Sequence, residues 1–311
     1  MSYNVVLPSG IGDCSWAVSA LWSVRDQIAR WDVLEGWPMR TTPYLELMGF
    51  ETAYVPYTYP MILGFESDHG IGRADPDRTW EKISKLQVAN LLLEPNKWLE
   101  AGERLEKWLP DLPCEFHYPL KVSAKDKERA ERTVAREMSR HPMEHGPVVG
   151  ISCASYRGAE AWKTWGIGEW KDMLRRIMSI GWRPLLLGGH WDDLTYAVAF
   201  DLELPDIVGK TNVPQMVHVM GMLDGYIGYS SGMNVIRTVL DKPAMALWPD
   251  FQNELRDSWA PPEMLESHRY VSHLWREPKV VWPMAKGFLR RCERELAVAK
   301  SNGAMQEVVS A

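Results

Sequence analysis

The sequence predicts an α/β protein in which two open parallel sheets, each covered by helices, face one another across a cleft. Three observations carry this expectation. The chain opens as strand, glycine turn and helix over "YNVVLPSGIGDCSWAV", and a second such start follows at "VVGISCASYRG". From there to residue 247, short apolar runs alternate with amphipathic ones. Strands separated by helical stretches pair in parallel, because each return to the sheet needs a crossover, and the crossover helices cover both faces. Such sheets bind ligands beyond the carboxyl ends of their strands, so the chemistry is expected between the domains.

The elements follow in order. Tyr3 to Leu7 reads as a short buried strand, and Asp13 to about Ala29 as a helix with Trp16, Ala20, Val24 and Ile28 recurring on one face. Pro and Tyr are dense in "YVPYTYPMILGF", and "SDHGIGRADPDRTW" reads as a long loop before helical segments around 79 to 108. The pair Asp75 and Asp77 is read as part of a turn, since no apolar strand leads into it. Ser123 N-caps a helix over 123–140 whose mixed charge predicts a solvated element. "HPMEHGP" then breaks the chain, which sets the domains at 1–145 and 146–284, with a helix and tail over 285–311.

Beyond the break, strands are expected at 148–152, 183–187, 206–208, 225–228 and 244–247. Helices are expected at 168–180, 191–200, 213–223 and 232–241. Trp170, Met173, Leu174, Ile177 and Met178 form one apolar stripe, which predicts core packing. A last helix follows Pro283 and frays toward the end of the chain.

Bulk properties narrow the function. A net charge of -6 and a pI near 5.8 give no overall basic field, which favours small-molecule chemistry over nucleic-acid binding through many phosphates. Cys14, Cys114, Cys153 and Cys292 lie far apart without metal-ligand spacing, which suits reduced thiols in a cytoplasm. No secretory signal pattern and no apolar run long enough to span a bilayer is present, so a cytoplasmic protein is expected. The 16 tryptophans read mainly as core or rim packing, with sugar stacking as the alternative.

Several loops gather at the strand ends of the second half. Ser230, Ser231 and Gly232 open a helix after an apolar strand, where unpaired N–H groups and the helix dipole suit a phosphate or diphosphate; simple N-capping explains the serines equally well. Gly188 and Gly189 permit close backbone approach, and Asp192 and Asp193 are read either as ribose ligands or as helix caps. Lys210 and Thr211 precede another helix, and a long polar loop carries Arg157 and Lys163, so two loops bring cations to one sheet edge.

Together these motifs resemble glycosyltransferase family 9, the ADP-heptose:lipopolysaccharide heptosyltransferases. The likeness rests on GIGD before a helix, a Lys-x-Trp after a long loop, LLGG at a strand end, GKT before a helix, and "IGYSSG" followed by "KPAMALW". It runs through most of 148–250 and fades over 31–140. The resemblance implies a GT-B fold of two Rossmann-like domains, the N-terminal one binding the acceptor and the C-terminal one the nucleotide sugar. It also implies inverting, metal-independent transfer with no cofactor, the nucleotide-diphosphate sugar being a donor substrate.

On that resemblance Asp13 is the catalytic base, Lys163 lies near the donor phosphates, and Ser231, Gly232 and Met233 meet the diphosphate. Gly10 and Gly12 let the first turn approach substrate. A carboxylate of ordinary pKa, ~3.9, cannot deprotonate a sugar hydroxyl beforehand, so Asp13 would take the proton as the new bond forms. The family's acid before the Ser/Thr-Gly pair and its following histidine are replaced here by Ser230 and Val235. The donor sugar is therefore left open, as is the acceptor, a saccharide or glycolipid. Two alternatives remain: a GT-B enzyme acting on hydroxymethylated pyrimidines in DNA, as in viruses, or a degenerate member that binds a nucleotide sugar without turnover.

Overall fold

The computed structural model describes residues 3–7, 11–34, 40–50, 52–55, 91–92, 115–140, 145–154, 165–248, 260–274 and 276–310. They fall into two compact units, Met1–Ser123 and Ala124–Ala311.

In the first unit, β1 (Tyr3–Leu7), β2 (Ile28–Leu34), β3 (Thr52–Val55) and β4 (Leu91–Leu92) form a sheet of order β3-β2-β1-β4. Every pairing in it is parallel. Helix α1 (Ile11–Leu21) follows β1, and α2 (Thr41–Glu46) lies between β2 and β3. The helix expected to reach Ala29 instead stops at Leu21, passes through a 3-10 stretch at Trp22–Gln27 and becomes β2. Two parallel ladders and the stacking of Trp31 on Phe50, with centroids 4.2 Å apart, outweigh the helical periodicity of this segment. Arg25 closes the 3-10 stretch by lying over the Trp22 ring at 4.6 Å and donating to the Trp22 carbonyl at 2.6 Å.

Helix α1 turns Cys14, Val18 and Leu21 inward, a spacing of four and three residues that marks one helical face. Its first turn is held from behind. The Ser15 carbonyl accepts from Ser19 Oγ at 2.7 Å and from the Tyr118 hydroxyl at 3.4 Å, and Tyr118 pairs with the Tyr44 hydroxyl at 3.1 Å. Burial pushes both phenols up, so they remain protonated donors.

The second unit begins with α3 (Ala124–Ser139), which the sequence reading had placed in the first domain as a solvated element. It packs on α6 (Val213–Met222), burying Ala130, Glu137 and Met138. Polar contacts add to this docking: Gln215 Nε2 donates to Asp126 at 3.2 Å, and His218 Nε2 lies 2.9 Å from Glu131. Glu137, 3 % exposed, is surrounded by cations, with Arg136 Nε at 2.9 Å, Arg140 Nη1 at 3.0 Å and Lys210 Nζ at 3.3 Å. A charge hidden in one face of a helix of mixed composition leaves no periodic signal, which is why the sequence read this helix as wholly exposed.

The rest of the unit alternates as expected: β5 (Val148–Ser152), α4 (Ile167–Met178), β6 (Arg183–Leu186), α5 (Asp193–Asp201), α6, β7 (Gly225–Tyr229), α7 (Gly232–Val239) and β8 (Ala244–Trp248). Two elements absent from the sequence reading follow, α8 (Pro262–Glu266) and β9 (Tyr270–Leu274). The last helix, α9, spans Pro278–Ser310, so it starts before Pro283 and continues where fraying was expected. Pro278 suits the first helical position, which needs no N–H donor, whereas Pro283 omits one bond of the ladder without ending it.

The sheet order is β6-β5-β7-β8-β9, all parallel. Of the strand expected at 206–208, only a parallel bridge from Asp206 to Leu186 forms. Counted as the third strand, it gives the order 3-2-1-4-5-6 of a Rossmann sheet. The stripe of α4 packs as predicted: Trp170, Met173, Leu174 and Ile177 are buried with Val149, Ile151 and Trp182, and Met178 lies partly buried beside them. Trp165, Trp170, Trp182 and Trp248 are all buried, in line with the packing role read for the tryptophans.

The Glu137 cluster predicts a pH-dependent stability. Burial raises the Glu137 pKa, but hydrogen bonds from Arg136 and Lys210 and the charges of Lys210 and Arg140 outweigh it, leaving the carboxyl below its usual value. A lowered folded-state pKa stabilises the fold above the unfolded pKa, and that contribution disappears as pH falls through the folded value. Glu137→Gln is therefore expected to cost about 1 kcal/mol at pH 7, a modest figure because the cations are partly solvated. Urea unfolding of both proteins as a function of pH should show the two curves converging in acid.

Candidate functional site

Strand order in the second sheet reverses between β5 and β7, so their helices leave toward opposite faces and a crevice opens beyond the strand ends. β5 ends in Ser152, 2 % exposed. Its hydroxyl lies 2.6 Å from the Tyr226 hydroxyl of β7 and donates to the Met233 sulfur at 3.3 Å. The polar residue that ends the apolar run "VVGIS" is the sequence feature that marks Ser152. Burial pushes the Tyr226 phenol up, with the charge of Asp192 adding in the same direction, so the group stays protonated.

Beyond β7, Ser230 is buried and Ser231 is the N-cap of α7 in extended conformation. Asn234 fastens this turn: its Oδ1 accepts from Ser231 N at 3.2 Å, and its own N–H donates to the Ser231 carbonyl at 3.0 Å. The sequence reading missed Asn234, although "SGMN" places an amide at the capping-box position. The N–H groups of Gly232 and Met233 have no acceptor within the helix and lie at the positive end of its dipole.

The far end of α7 is anchored by another unforeseen residue. Arg237 is completely buried and forms no ion pair among the described residues; its guanidinium donates to the carbonyls of Met220, Leu223 at 3.1 Å, and Pro243 at 3.1 and 2.7 Å. Burial pulls its pKa down to about 10, which leaves it charged at neutral pH. It thereby joins α7 to the end of α6 and to the residue before β8.

The glycine turn after β6 has a different role from the one read for its acid. Asp192 is buried, and its carboxylate accepts from Gly189 N at 2.6 Å while its own N–H returns to the Gly189 carbonyl at 3.0 Å. Asp192 thus closes the turn; it stands at the N-cap position of α5, but its side chain accepts no N–H of that helix. Gly188 is required by this packing, since an added Cβ would sit 2.6 Å from Asp192 Oδ2 and 2.8 Å from its Cβ. Asp193 begins α5 and is exposed.

Lys210 and Thr211, both expected to meet a ligand, stand in different surroundings. Lys210 is held by Glu137, by Asp206 Oδ2 at 3.1 Å and by the Asp206 carbonyl at 3.0 Å, because the buried Glu137 carboxylate needs cations. The helix start beside it is already filled: Asn212 accepts from Gln215 N at 2.9 Å, and Gln215 Oε1 accepts from Asn212 N at 3.3 Å. Thr211 Oγ1 is buried without a hydrogen-bond partner among the described residues.

In the first unit, Gly12 is the buried second residue of α1 and Asp13 its third. The Asp13 side chain, Gly10, Arg157 and Lys163 lie outside the described residues. Among those described, no group of three or more His, Cys, Asp or Glu is placed to hold a metal ion.

A family model described as glycosyltransferase family 9 (heptosyltransferase) matches residues 93–279, well over half of the chain. The chain belongs to glycosyltransferase family 9. Solved structures share its fold at low identity. E. coli ADP-heptose lps heptosyltransferase II matches with a TM-score of 0.59 at 16 % identity, over 94 % of this chain and all of that one. A family 9 glycosyltransferase from Veillonella parvula gives 0.59 at 13 % identity, over 93 % and 98 % of the two chains. The E. coli heptosyltransferase WaaC with ADP gives 0.51 at 13 % identity, over 91 % and 98 %. No curated protein sequence matches. For this family 9 chain the GT-B class of fold read from the sequence is confirmed by these likenesses.

The anchoring of α7 is testable. Arg237→Leu leaves three backbone carbonyls without their donor, a loss partly offset by removal of a desolvated charge, and is expected to cost about 3 kcal/mol. The urea midpoint should fall with little change in denaturant slope.

Proposed function

We propose that this family 9 chain is an inverting glycosyltransferase that moves a sugar from a nucleotide-diphosphate sugar to an acceptor hydroxyl. The observation that carries the reading is the N-terminus of α7, the positive end of that helix, beside Ser152 and Tyr226, where the strand order of the second sheet reverses. That is the place where sheets of this kind receive nucleotides. The heptosyltransferase WaaC, solved with ADP, shares the fold and supports a nucleoside diphosphate as the leaving group.

In this reading the second unit holds the donor. The N–H groups of Gly232 and Met233 face the diphosphate, Ser231 and Asn234 keep them in position, and Lys163 adds a cation. As the bond from the anomeric carbon to the phosphate oxygen breaks, negative charge grows on the leaving diphosphate. These groups stabilise it without recourse to a metal ion. The acceptor oxygen attacks from the opposite side of the sugar, which inverts the anomeric centre.

Asp13 takes the acceptor proton. Its place in the first turn of α1 exposes it to the positive end of the helix dipole, which keeps a carboxylate ionised and ready to accept. The buried Tyr44 and Tyr118 hydroxyls, acting on the Ser15 carbonyl, steady that turn. With Ser230 and Val235 in place of the acid and histidine of the resembling enzymes, the donor sugar is proposed to differ from ADP-heptose. The acceptor is proposed to be a saccharide or a glycolipid.

Asp13→Ala should lower turnover about 10²- to 10⁴-fold, the usual contribution of a positioned base, while donor affinity by calorimetry stays within about twofold. Unchanged turnover would remove Asp13 as the base. A thermal-shift series with ADP-, UDP- and GDP-sugars should raise the melting temperature for one nucleotide above the others. A ligand at 100 times its Kd adds about 2.7 kcal/mol to stability. No shift with any of the three would overturn the donor class.

A further inference from the structure

Ser152 and Tyr226 share one face of the second sheet with two glycines. The register sets Gly150 opposite Tyr226 and Ser152 opposite Gly228, and alternate residues of a strand lie on the same face. An added Cβ at Gly150 would stand 3.3 Å from Tyr226 Cδ2. One at Gly228 would fall on the Tyr226 hydroxyl, 2.7 Å from Cζ and 3.2 Å from Ser152 Oγ. The two glycines therefore leave a trough in which the tyrosine ring lies along the strands and delivers its oxygen toward their carboxyl ends.

A phenylalanine would fill this trough equally well. Tyr226 is fully buried, and a hydroxyl withdrawn from water is a cost unless it is bonded. Its bond runs to Ser152 at 2.6 Å, and Ser152 donates onward to the Met233 sulfur at 3.3 Å. Since Ser152 has one proton and gives it to the sulfur, the Tyr226 hydroxyl is the donor within the pair, and burial keeps that phenol protonated. Met233 is the second residue of α7, so this chain of bonds ends in the turn at the positive end of the helix. It starts on β5 and β7, the strands between which the order reverses.

We infer that Tyr226 and Ser152 are positioning residues for the donor, acting through Met233 to set where the N–H groups of Gly232 and Met233 stand relative to a diphosphate. This rests on the donor reading given above. A hydrogen bond to a phosphate oxygen weakens steeply as its angle closes, so a small tilt of the first turn lowers affinity. Starting the helix does not require the pair, because Asn234 already fastens the Ser231 turn. A purely packing role would be met by phenylalanine and alanine at these two positions.

The test compares Tyr226→Phe, Ser152→Ala and the double variant with the unaltered full chain, using ADP, UDP and GDP as probes in calorimetry. For whichever nucleotide the unaltered chain binds most tightly, each single variant is expected to raise Kd about fivefold, the effect of one typical hydrogen bond. The double variant should lose no more than the single ones, since all three break the same chain of bonds. Ile177→Val, a core change in α4 that lowers stability, separates lost stability from lost positioning and should leave Kd unchanged. Unaltered affinity in both single variants, losses that add in the double variant, or an equal loss in Ile177→Val would overturn the inference and leave the donor reading intact. An unaltered chain that binds none of the three nucleotides would overturn the donor reading, and this inference with it.

Discussion

The reversal of strand order between β5 and β7 is the constraint on which the candidate site depends. Parallel strands whose crossovers depart to opposite faces cannot close the space beyond their ends, so the sheet itself opens the crevice. What distinguishes this chain is what lies buried beneath the strand ends. The hydroxyls of Ser152 and Tyr226 meet at 2.6 Å across the two strands, and Ser152 reaches onward to Met233 on the helix above. A short polar chain thereby links strand end to helix start, over a core of Val149, Ile151, Ile227 and Trp170.

The first unit follows the same logic with other groups. Its strand-to-helix turn lies at the end of a central strand, and two buried tyrosines brace the first turn of the following helix through a backbone carbonyl. In both units, then, buried hydroxyls beneath the helix hold its N-terminal half. Function is read from the polar residues added to this scaffold, since the scaffold alone serves many chemistries.

Much of this was legible in the sequence. Apolar runs of four to five residues between amphipathic stretches marked β5 through β8 and their helices, because a strand buried on both faces has little choice of composition. The Ser231-Gly232 start was legible for the same reason, as a turn at the end of such a strand. Lys210, Thr211 and Asp192 were harder to read, because a cation or an acid near a helix start looks the same whether it meets a ligand, a buried carboxylate or its own turn. Arg237 and Glu137 left no trace at all. Their partners are carbonyls and charges brought together only by tertiary packing, and an arginine in an amphipathic helix reads as surface. The early end of α1 was lost to a periodicity that continued by chance into β2.

The clamp of Arg237 on the carbonyls of Met220, Leu223 and Pro243 reaches further than its own neighbourhood. With one end of a two-turn helix fixed so firmly and the other pinned by Asn234, the rim of the crevice has little freedom left to lose when something enters. Association there gives up little conformational entropy, so the affinity of an incoming molecule reflects how well it matches a shape that already exists. Discrimination between ligands would follow from fit to a rigid edge, and a loosened clamp would blur it without touching a single atom of the ligand.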